Sequence, residues 1–493
     1  MLFFFFDTTL KGYILIYLEL DKEEISDMIR RAVSTAQPHA HRLRVGIIGM
    51  GTAGLASALF LKGQGHDVSI YETTTTSDLD KIAGAGIGMQ PIGLTVLKHL
   101  GVLDEALDRG ARIDRLHAIT RDDRDVLDLK YSDFRPGLHG LGLHRDVLFS
   151  ILYRKVMQSD SISVVTGFRA STVAPNKQRT ASDILEDDGK SREGPFDLVV
   201  VCDGRESIRR NMLGVRSMES KYPFGCLWTI LPDKKEIFTS RHELYQRLDS
   251  CSTMLGFLPT GRTPAMSTKS ATKDTNDDHG LVSIFWSLEM SSLKQVQARG
   301  LDAWKEQVIE LEPRAESLLS NLTSFEQQLI PASYSDTFMP QLYDSETRTV
   351  FLGDAAHATS PQLGQGANLA LVDAWVLSEV LEAADAGAKS GRAEYSSTAA
   401  RDFLVQRTLH EFDRARKWRI RFYQLNSKIL TPVFQSNSKL IGTLRDTFMG
   451  PLCKFPLTRL QMLTVLCGAQ NNGIPWNKIP EEEYMGFVRD DER

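Results

Sequence analysis

The hydrophobic pattern changes period several times along the chain, and each change marks an element. Val45 to Ile48 is an unbroken apolar run, as a parallel strand buried on both faces requires, and Leu55, Ala58, Leu59 and Leu61 follow it at helical spacing. Val68 to Tyr71 is a second apolar run and ends in Glu72. Alternation within 112–133, as in Val126-Leu127-Asp128-Leu129-Lys130, predicts strands of a half-exposed sheet, and Leu198 to Val201 reads as another fully buried strand. From about Tyr222 the pattern becomes aromatic-rich strands (YPFGCLWTIL, ELYQRL, STMLGFL, LVSIFWSL), with a helix over 301–320. Val350 to Leu352 is one more strand, followed by a helix carrying Leu369, Leu371 and Leu377. Beyond it, 393–430 is a long helical pattern stopped at Pro432, and 433–467 is amphipathic with breaks at Pro451 and Pro456.

This succession predicts an α/β fold: a discontinuous Rossmann-like nucleotide-binding domain over 44–215 and 331–390, an inserted sheet-rich substrate domain over 216–330, and a C-terminal helical region over 391–493. The segment 1–43 carries two apolar patches, LFFFF and YILIYLEL, separated by Asp7, Lys11 and Gly12. Neither approaches the roughly 18 residues that a spanning helix needs, and the segment reads as a disordered extension.

The chemistry-bearing residues stand at the ends of the buried strands. Gly49, Gly51 and Gly54 have G-x-G-x-x-G spacing, with Thr52 and Ala53 between them, at the start of the first helix. Such glycines permit a tight turn, close approach of backbone to a pyrophosphate and close helix–strand packing, while the helix N-terminus offers N–H groups to phosphate charge. Glu72 lies 72 − 54 = 18 residues beyond Gly54, near the ~20 expected for the acid that binds an adenosine ribose. An acid there disfavours a 2′-phosphate, so FAD or NAD suits this site better than NADP. Gly84-Ala85-Gly86-Ile87-Gly88 is a second glycine-rich turn, and Arg145 opens a helix where a guanidinium can meet a phosphate. Asp203-Gly204 and Gly353-Asp354 each follow a buried strand. A turn through Pro361, Gly364 and Gly366 then opens a helix at Ala367 and Asn368, whose N-terminus carries about half a unit of positive charge. Such a field stabilises a group that becomes anionic on reduction, which argues for a redox cofactor.

Composition narrows the partners. Apolar residues at 42% and charged residues at 25% are ordinary for a globular chain, and a net charge of −5 gives no electrostatic case for nucleic acid. Five cysteines without C-x-x-C spacing suit a reducing compartment, hence the cytoplasm, and supply no zinc site. No metal is expected.

The three motifs GMGTAG with Glu72, CDGRESIRR and GDAAHATSPQLGQGAN, in this order, resemble the FAD-dependent class A aromatic hydroxylases, the para-hydroxybenzoate hydroxylase-like flavoprotein monooxygenases. The resemblance covers about 44–385 and implies that Glu72 binds the adenosine ribose and Arg145 binds FAD. It further implies that Asp203 and Gly204 lie at the pyrophosphate and nicotinamide approach and that Asp354 holds ribityl or ribose hydroxyls. Pro361 and the backbone from Gly364 to Asn368 would flank the isoalloxazine, and Tyr222, in YPFG, would bond a substrate hydroxyl. Cys202 departs from the family, where a smaller residue is usual. No second G-x-G-x-x-G occurs, in keeping with a family in which NADPH or NADH reduces FAD transiently and a flavin C4a-hydroperoxide hydroxylates or epoxidises an electron-rich substrate with O2. A flavin-dependent reductase, dehydrogenase or halogenase on the same scaffold, and a non-catalytic FAD sensor, are the alternatives. For 433–467 three roles stand open: a cover over the substrate cavity, a homodimer contact, and a contact with a membrane surface. The basic run Arg414, Arg416, Lys417, Arg419, Arg421 reads as a solvated face, and Trp418, Phe422, Phe434 and Phe448 as core.

Overall fold

The computed structural model describes residues 42–81, 84–187, 191–207, 209–262, 279–390 and 397–469; apart from Arg42 and Leu43, the N-terminal extension lies outside them. A six-stranded sheet has the order Tyr343–Asp344, Thr349–Phe351, Leu198–Val201, Arg44–Ile48, Asp67–Glu72, Ile162–Thr166. Four of these carry the motifs: β1 (Arg44–Ile48), β2 (Asp67–Glu72), β3 (Leu198–Val201) and β4 (Thr349–Phe351). They are neighbours in the order β4-β3-β1-β2 and all parallel, with Phe351, Val201, Ile48 and Tyr71 in register. The apolar runs are apolar because both faces are covered. On one side lie α1 (Thr52–Gly63), α2 (Arg145–Met157) and α3 (Gly366–Ser390). On the other lies a three-stranded antiparallel sheet over 170–196, whose Ile184 and Phe196 come so near Gly46 that a Cβ there would sit 2.8 Å from each.

A seven-stranded sheet forms the second layer, in the order 330–338, 218–232, 281–289, 253–261, 243–249, 115–120, 125–130. It extends beyond 216–330, because the alternating segment near 112–133 supplies two edge strands and 330–338 a third. One face packs Leu227, Leu231, Phe257, Ile284 and Trp286 against Trp304 and Val308 of the helix Leu293–Leu311. Strand alternation turns Cys226, Trp228, Ser283 and Phe285 to the opposite face. That face meets the nucleotide-binding layer: the Gly86 N–H donates to Ser283 Oγ at 3.2 Å, and a Cβ on Gly142 would lie 1.8 Å from the Pro259 carbonyl oxygen.

Three helices close the described residues: α4 (Ser397–Phe434), α5 (Lys439–Lys454) and α6 (Pro456–Leu466). The predicted stop at Pro432 is not where α4 ends. Pro432 sits in its last turn, where it forgoes one backbone hydrogen bond to the preceding turn, and the helix nonetheless runs on to Phe434. Pro451 likewise lies inside α5, whereas Pro456 opens α6 in the first helical position, where no N–H is needed. Among the described residues no helix is long and apolar enough to cross a membrane.

Candidate cofactor and substrate site

Register carries the sequence motifs to one place. Because β4, β3, β1 and β2 are parallel and aligned, Gly353-Asp354, Asp203-Gly204, Gly49 and Glu72 all emerge at one carboxyl edge, where open α/β sheets bind ligands. Gly49 adopts φ +97°, and a Cβ there would lie 2.5 Å from the Cys202 carbonyl oxygen, so only glycine lets the first turn nest against the Asp203 segment. A Cβ on Gly54 would lie 2.1 Å from the Gly49 carbonyl oxygen, which fixes how closely α1 packs. Gly51 differs: a Cβ there meets nothing within 4 Å, and Gly51 caps α1 without any side-chain hydrogen bond. The leading N–H groups of α1, at Thr52 and Ala53, therefore open onto free space at the strand edge.

Glu72 faces that space from the next strand. Its two oxygens accept the N–H groups of Met50 and Thr74, each at 2.8 Å, and each oxygen keeps a lone pair for a hydroxyl. Asp354 is exposed at the start of a short helix, Asp354–His357, and its Oδ1 lies 4.0 Å from where a Gly366 Cβ would stand. Gly353 touches both nucleotide helices, since its Cβ would meet Ala53 at 3.3 Å and Ala370 at 3.4 Å. Pro361 opens a single 3-10 turn, Gly364 closes it with φ +60°, and α3 starts at Gly366. The N–H groups of Gly366, Ala367 and Asn368 thus form a second helix N-terminus facing the same edge.

The cradle fits FAD on its own features: a glycine with open space where a pyrophosphate would pass, a carboxylate with spare lone pairs on the adjacent strand, and two helix N-termini. Three sequence-named residues also have contacts within the protein. The Asn368 side chain is fully engaged by protein, its Oδ1 accepting from Gln90 N at 2.9 Å and its Nδ2 donating to the Gly88 and Gly364 carbonyls at 3.1 and 3.0 Å. Its role is to bind the second glycine strand to the Gly364 turn. Gly86 has a packing reason of its own, since a Cβ there would lie 2.6 Å from Ser283 Cβ. Arg145 is exposed in the first turn of α2, against Gly84 and Ala85.

Beneath the cradle runs a buried charge network that the sequence did not reveal. Asp373 of α3 is fully buried; its Oδ2 accepts from the Gly353 N–H at 2.8 Å and meets His357 Nε2 at 2.6 Å, and its Oδ1 accepts from Arg416 Nε at 2.7 Å. Burial alone would raise the Asp373 carboxyl; His357 and Arg416 outweigh it and hold the group down to about 2. The solvated-face expectation for 414–421 is corrected here: Arg416 and Arg419 are buried, because α4 brings Arg416 under α3 in line with Phe412 and Leu409. Arg210 ties the Asp203 segment to the same place, donating to the Ala355 carbonyl at 2.6 Å. The core expectation fails the other way for Trp418 and Phe448, which are 62% and 55% exposed, while Phe434 is buried.

On the substrate side, Tyr222 lies on the strand Met218–Pro232, at an irregularity in its pairing with Ile330–Phe338. Its hydroxyl donates to Asp336 Oδ2, and Asp336 Oδ1 accepts the Ser360 N–H at 3.1 Å. Ser360 Oγ is in turn 2.7 Å from Ser427 Oγ and 2.8 Å from Thr431 Oγ1 of α4. Burial, reinforced by Asp336, pushes the Tyr222 phenol up, so it stays protonated. Tyr222 is thereby linked, through one carboxylate, to the residue preceding Pro361. Trp228 and Phe285, paired across adjacent strands, share the face turned to the cofactor layer. Asp336, Ser427 and Thr431 belong to no motif; the only trace of them in sequence is polarity at positions where a strand or helix face should be apolar. A separate groove of about 500 Å³, lined by Pro340, His410, Asp413, Arg414, Lys417, Trp418 and Arg421, touches none of the motif residues. No group of His, Cys, Asp and Glu suited to a metal occurs among the described residues, and all five cysteines are buried and unpaired.

Known proteins agree with this geometry. A family model described as FAD binding domain matches residues 42–287 and 331–408, the same discontinuous pattern as the nucleotide layer and its attached sheet. The 3-amino-4-hydroxybenzoate 2-monooxygenase of Streptomyces platensis is 29% identical over 363 residues, 70% of this chain and 81% of that protein. The 3-hydroxybenzoate 6-hydroxylase of Klebsiella oxytoca is 24% identical over 370 residues, covering 72% and 84%. Among solved structures, 2-methyl-3-hydroxypyridine-5-carboxylic acid oxygenase in its tetrameric form superposes with a TM-score of 0.63 at 20% identity, over 83% of this chain and 97% of that one. PqsL of Pseudomonas aeruginosa, described as a probable FAD-dependent monooxygenase, superposes at 0.65 and 18% identity, over 82% and 99%. Fold, motif placement and family match converge: the chain belongs to the FAD-binding family of aromatic-hydroxylase-type flavoproteins and is an FAD-dependent monooxygenase.

Proposed function

We propose that this enzyme consumes NADPH or NADH and O2 to hydroxylate a small aromatic substrate bearing a hydroxyl or amino group. The observation that carries the reading is the Tyr222–Asp336–Ser360 connection, which sets a half-buried phenol beside the turn at Pro361. Bound FAD supplies the oxygen chemistry; the chain's residues hold it, orient the substrate and exclude water. Glu72 holds the adenosine ribose, the N–H groups of Thr52 and Ala53 receive the pyrophosphate together with Arg145, and Asp354 takes hydroxyls of the ribityl chain. Asp203 and Gly204 border the pyrophosphate and the nicotinamide approach. The N-terminus of α3, from Gly366 to Asn368, and the turn at Pro361 and Gly364 flank the flavin ring, with Gly86 on the facing strand.

The Tyr222 oxygen, its own proton held by Asp336 and the Ser360 and Thr431 hydroxyls close to it, would take a substrate hydroxyl as one further hydrogen-bond donor. That bond draws electron density into the substrate ring and makes its carbon a better nucleophile toward the activated oxygen. Trp228 and Phe285 give the ring an apolar wall. Two relatives are named for hydroxybenzoate substrates, 3-amino-4-hydroxybenzoate and 3-hydroxybenzoate, which favours this class over an isolated alkene. The test is NAD(P)H oxidation by the FAD-loaded enzyme across a panel of phenols, aminophenols and hydroxybenzoates, with isotopic O2 and mass spectrometry of the products. One labelled oxygen in a ring product is expected. Nicotinamide oxidation yielding only peroxide with every member of the panel would remove this substrate class.

A further inference from the structure

The C-terminal helical hairpin has a face that nothing in the described chain covers. Along α5, Leu440, Leu444, Phe448 and Leu452 recur every four residues, and on α6 Leu457 and Leu460 continue the surface; these six are between 37% and 70% exposed. Spacing by four puts the α5 set on one side of the helix. The other side is the one that packs: Gly442, Arg445, Gly450 and Cys453 are buried, a Cβ on Gly450 would lie 2.4 Å from the Asp125 carbonyl oxygen, and Cys453 Sγ is 3.5 Å from the Val126 carbonyl oxygen. α5 is thus fastened by its small and polar residues and turns its large apolar ones outward, the reverse of an ordinary surface helix, while α6 is held by Leu463, Val465 and Leu466. Monomeric proteins seldom leave so continuous an apolar surface open.

The charges on the hairpin select the partner. Lys439 and Lys454 stand exposed at the two ends of α5, flanking the apolar row. The acid of α5, Asp446, is bonded to Arg445, which is buried, and Arg459 of α6 is turned to Asp133. An acid-free apolar row bracketed by lysines is locally complementary to an anionic lipid surface. Leucine and phenylalanine side chains enter the acyl boundary, and lysine stems reach back to phosphate headgroups. The 16 residues of α5 give about 24 Å of helix lying in the membrane plane. We propose that α5 and α6 form an interfacial anchor that seats this enzyme on an anionic bilayer without spanning it. The inference concerns placement of the enzyme and does not depend on the identity of its substrate.

The experiment is flotation of the full-length, FAD-loaded protein with phosphatidylcholine vesicles, with and without phosphatidylserine, at low and high salt. The wild type should float with the anionic vesicles and less so at high salt. Leu444→Ser combined with Phe448→Ser should weaken flotation by roughly tenfold or more while flavin content stays unchanged, because both side chains point outward. Lys439→Glu combined with Lys454→Glu should abolish the preference for phosphatidylserine. A wild type that never floats overturns the proposal, as does flotation that survives both double variants. A dimer in analytical ultracentrifugation that Leu444→Ser with Phe448→Ser converts to monomer, without vesicle binding, assigns the face to a second copy of the chain and also overturns it.

Discussion

The cofactor cradle and the substrate wall proposed here are built by opposite means. The cradle is mostly backbone: glycines at Gly49, Gly51, Gly54 and Gly353, two helix N-termini, and two carboxylates, Glu72 and Asp354, all aligned by the register of four parallel strands. The wall is mostly side chain, with Tyr222, Asp336, Ser360 and Thr431 drawn from two strands, a loop and a distant helix. A constant ligand needs constant backbone, and this half can be read along the chain. A variable ligand is met by side chains that meet only after folding. Substitutions in the cradle should therefore cost cofactor and fold, whereas those in the wall should change turnover and leave the flavin in place.

The sharpest break is expected at Gly54. With 2.1 Å between a Cβ and the Gly49 carbonyl oxygen, Gly54→Val cannot keep the turn, and the purified protein should lack flavin absorbance even with FAD added. Asp354→Ala keeps the backbone and should lower FAD retention by about tenfold or more. The flavin-to-protein absorbance ratio after gel filtration checks both. Asp373→Asn leaves Arg416 buried without its carboxylate and should cost about 3 kcal/mol in chemical unfolding. The pH dependence has a definite sign. The Asp373 carboxyl is held down to about 2 in the folded protein, so its contribution to stability is complete above the ordinary aspartate value of about 4. It is lost as pH falls through about 2. Unfolding curves at descending pH should show this loss in the wild type and not in Asp373→Asn. The smallest structural effect is expected at Tyr222→Phe: full flavin content and unchanged melting, but several-fold more peroxide per nicotinamide oxidised. A Tyr222→Phe variant that loses flavin would blur the division between cradle and wall.

Much of the cradle was legible because each piece couples a local hydrophobic pattern to a local backbone demand. The runs Val45–Ile48, Leu198–Val201 and Val350–Leu352 announced strands, and a glycine or aspartate within two residues of each pointed to the carboxyl edge they share. The helix start near Gly366 was legible as well, while the Asn368 side chain proved to be an internal strut. What stayed hidden depends on partners far away in the chain. Arg416 looks like one more solvated base until α4 packs it against Asp373, 43 positions earlier. Trp418 and Phe448 look like core because apolar residues usually are, yet α4 and α5 bury other faces. Asp336 has no motif at all, and its pairing with Tyr222 exists only because two strands of the second sheet are neighbours.

The most direct test of the whole account is the visible spectrum of the FAD-loaded protein under anaerobic NADPH and then NADH, with a hydroxybenzoate or aminophenol present, followed by admission of oxygen. The account predicts a flavin band that bleaches with one nicotinamide and returns with oxygen as a hydroxylated ring product appears. A protein that holds FAD and is not reduced by either nicotinamide, with every aromatic substrate tried, would contradict it.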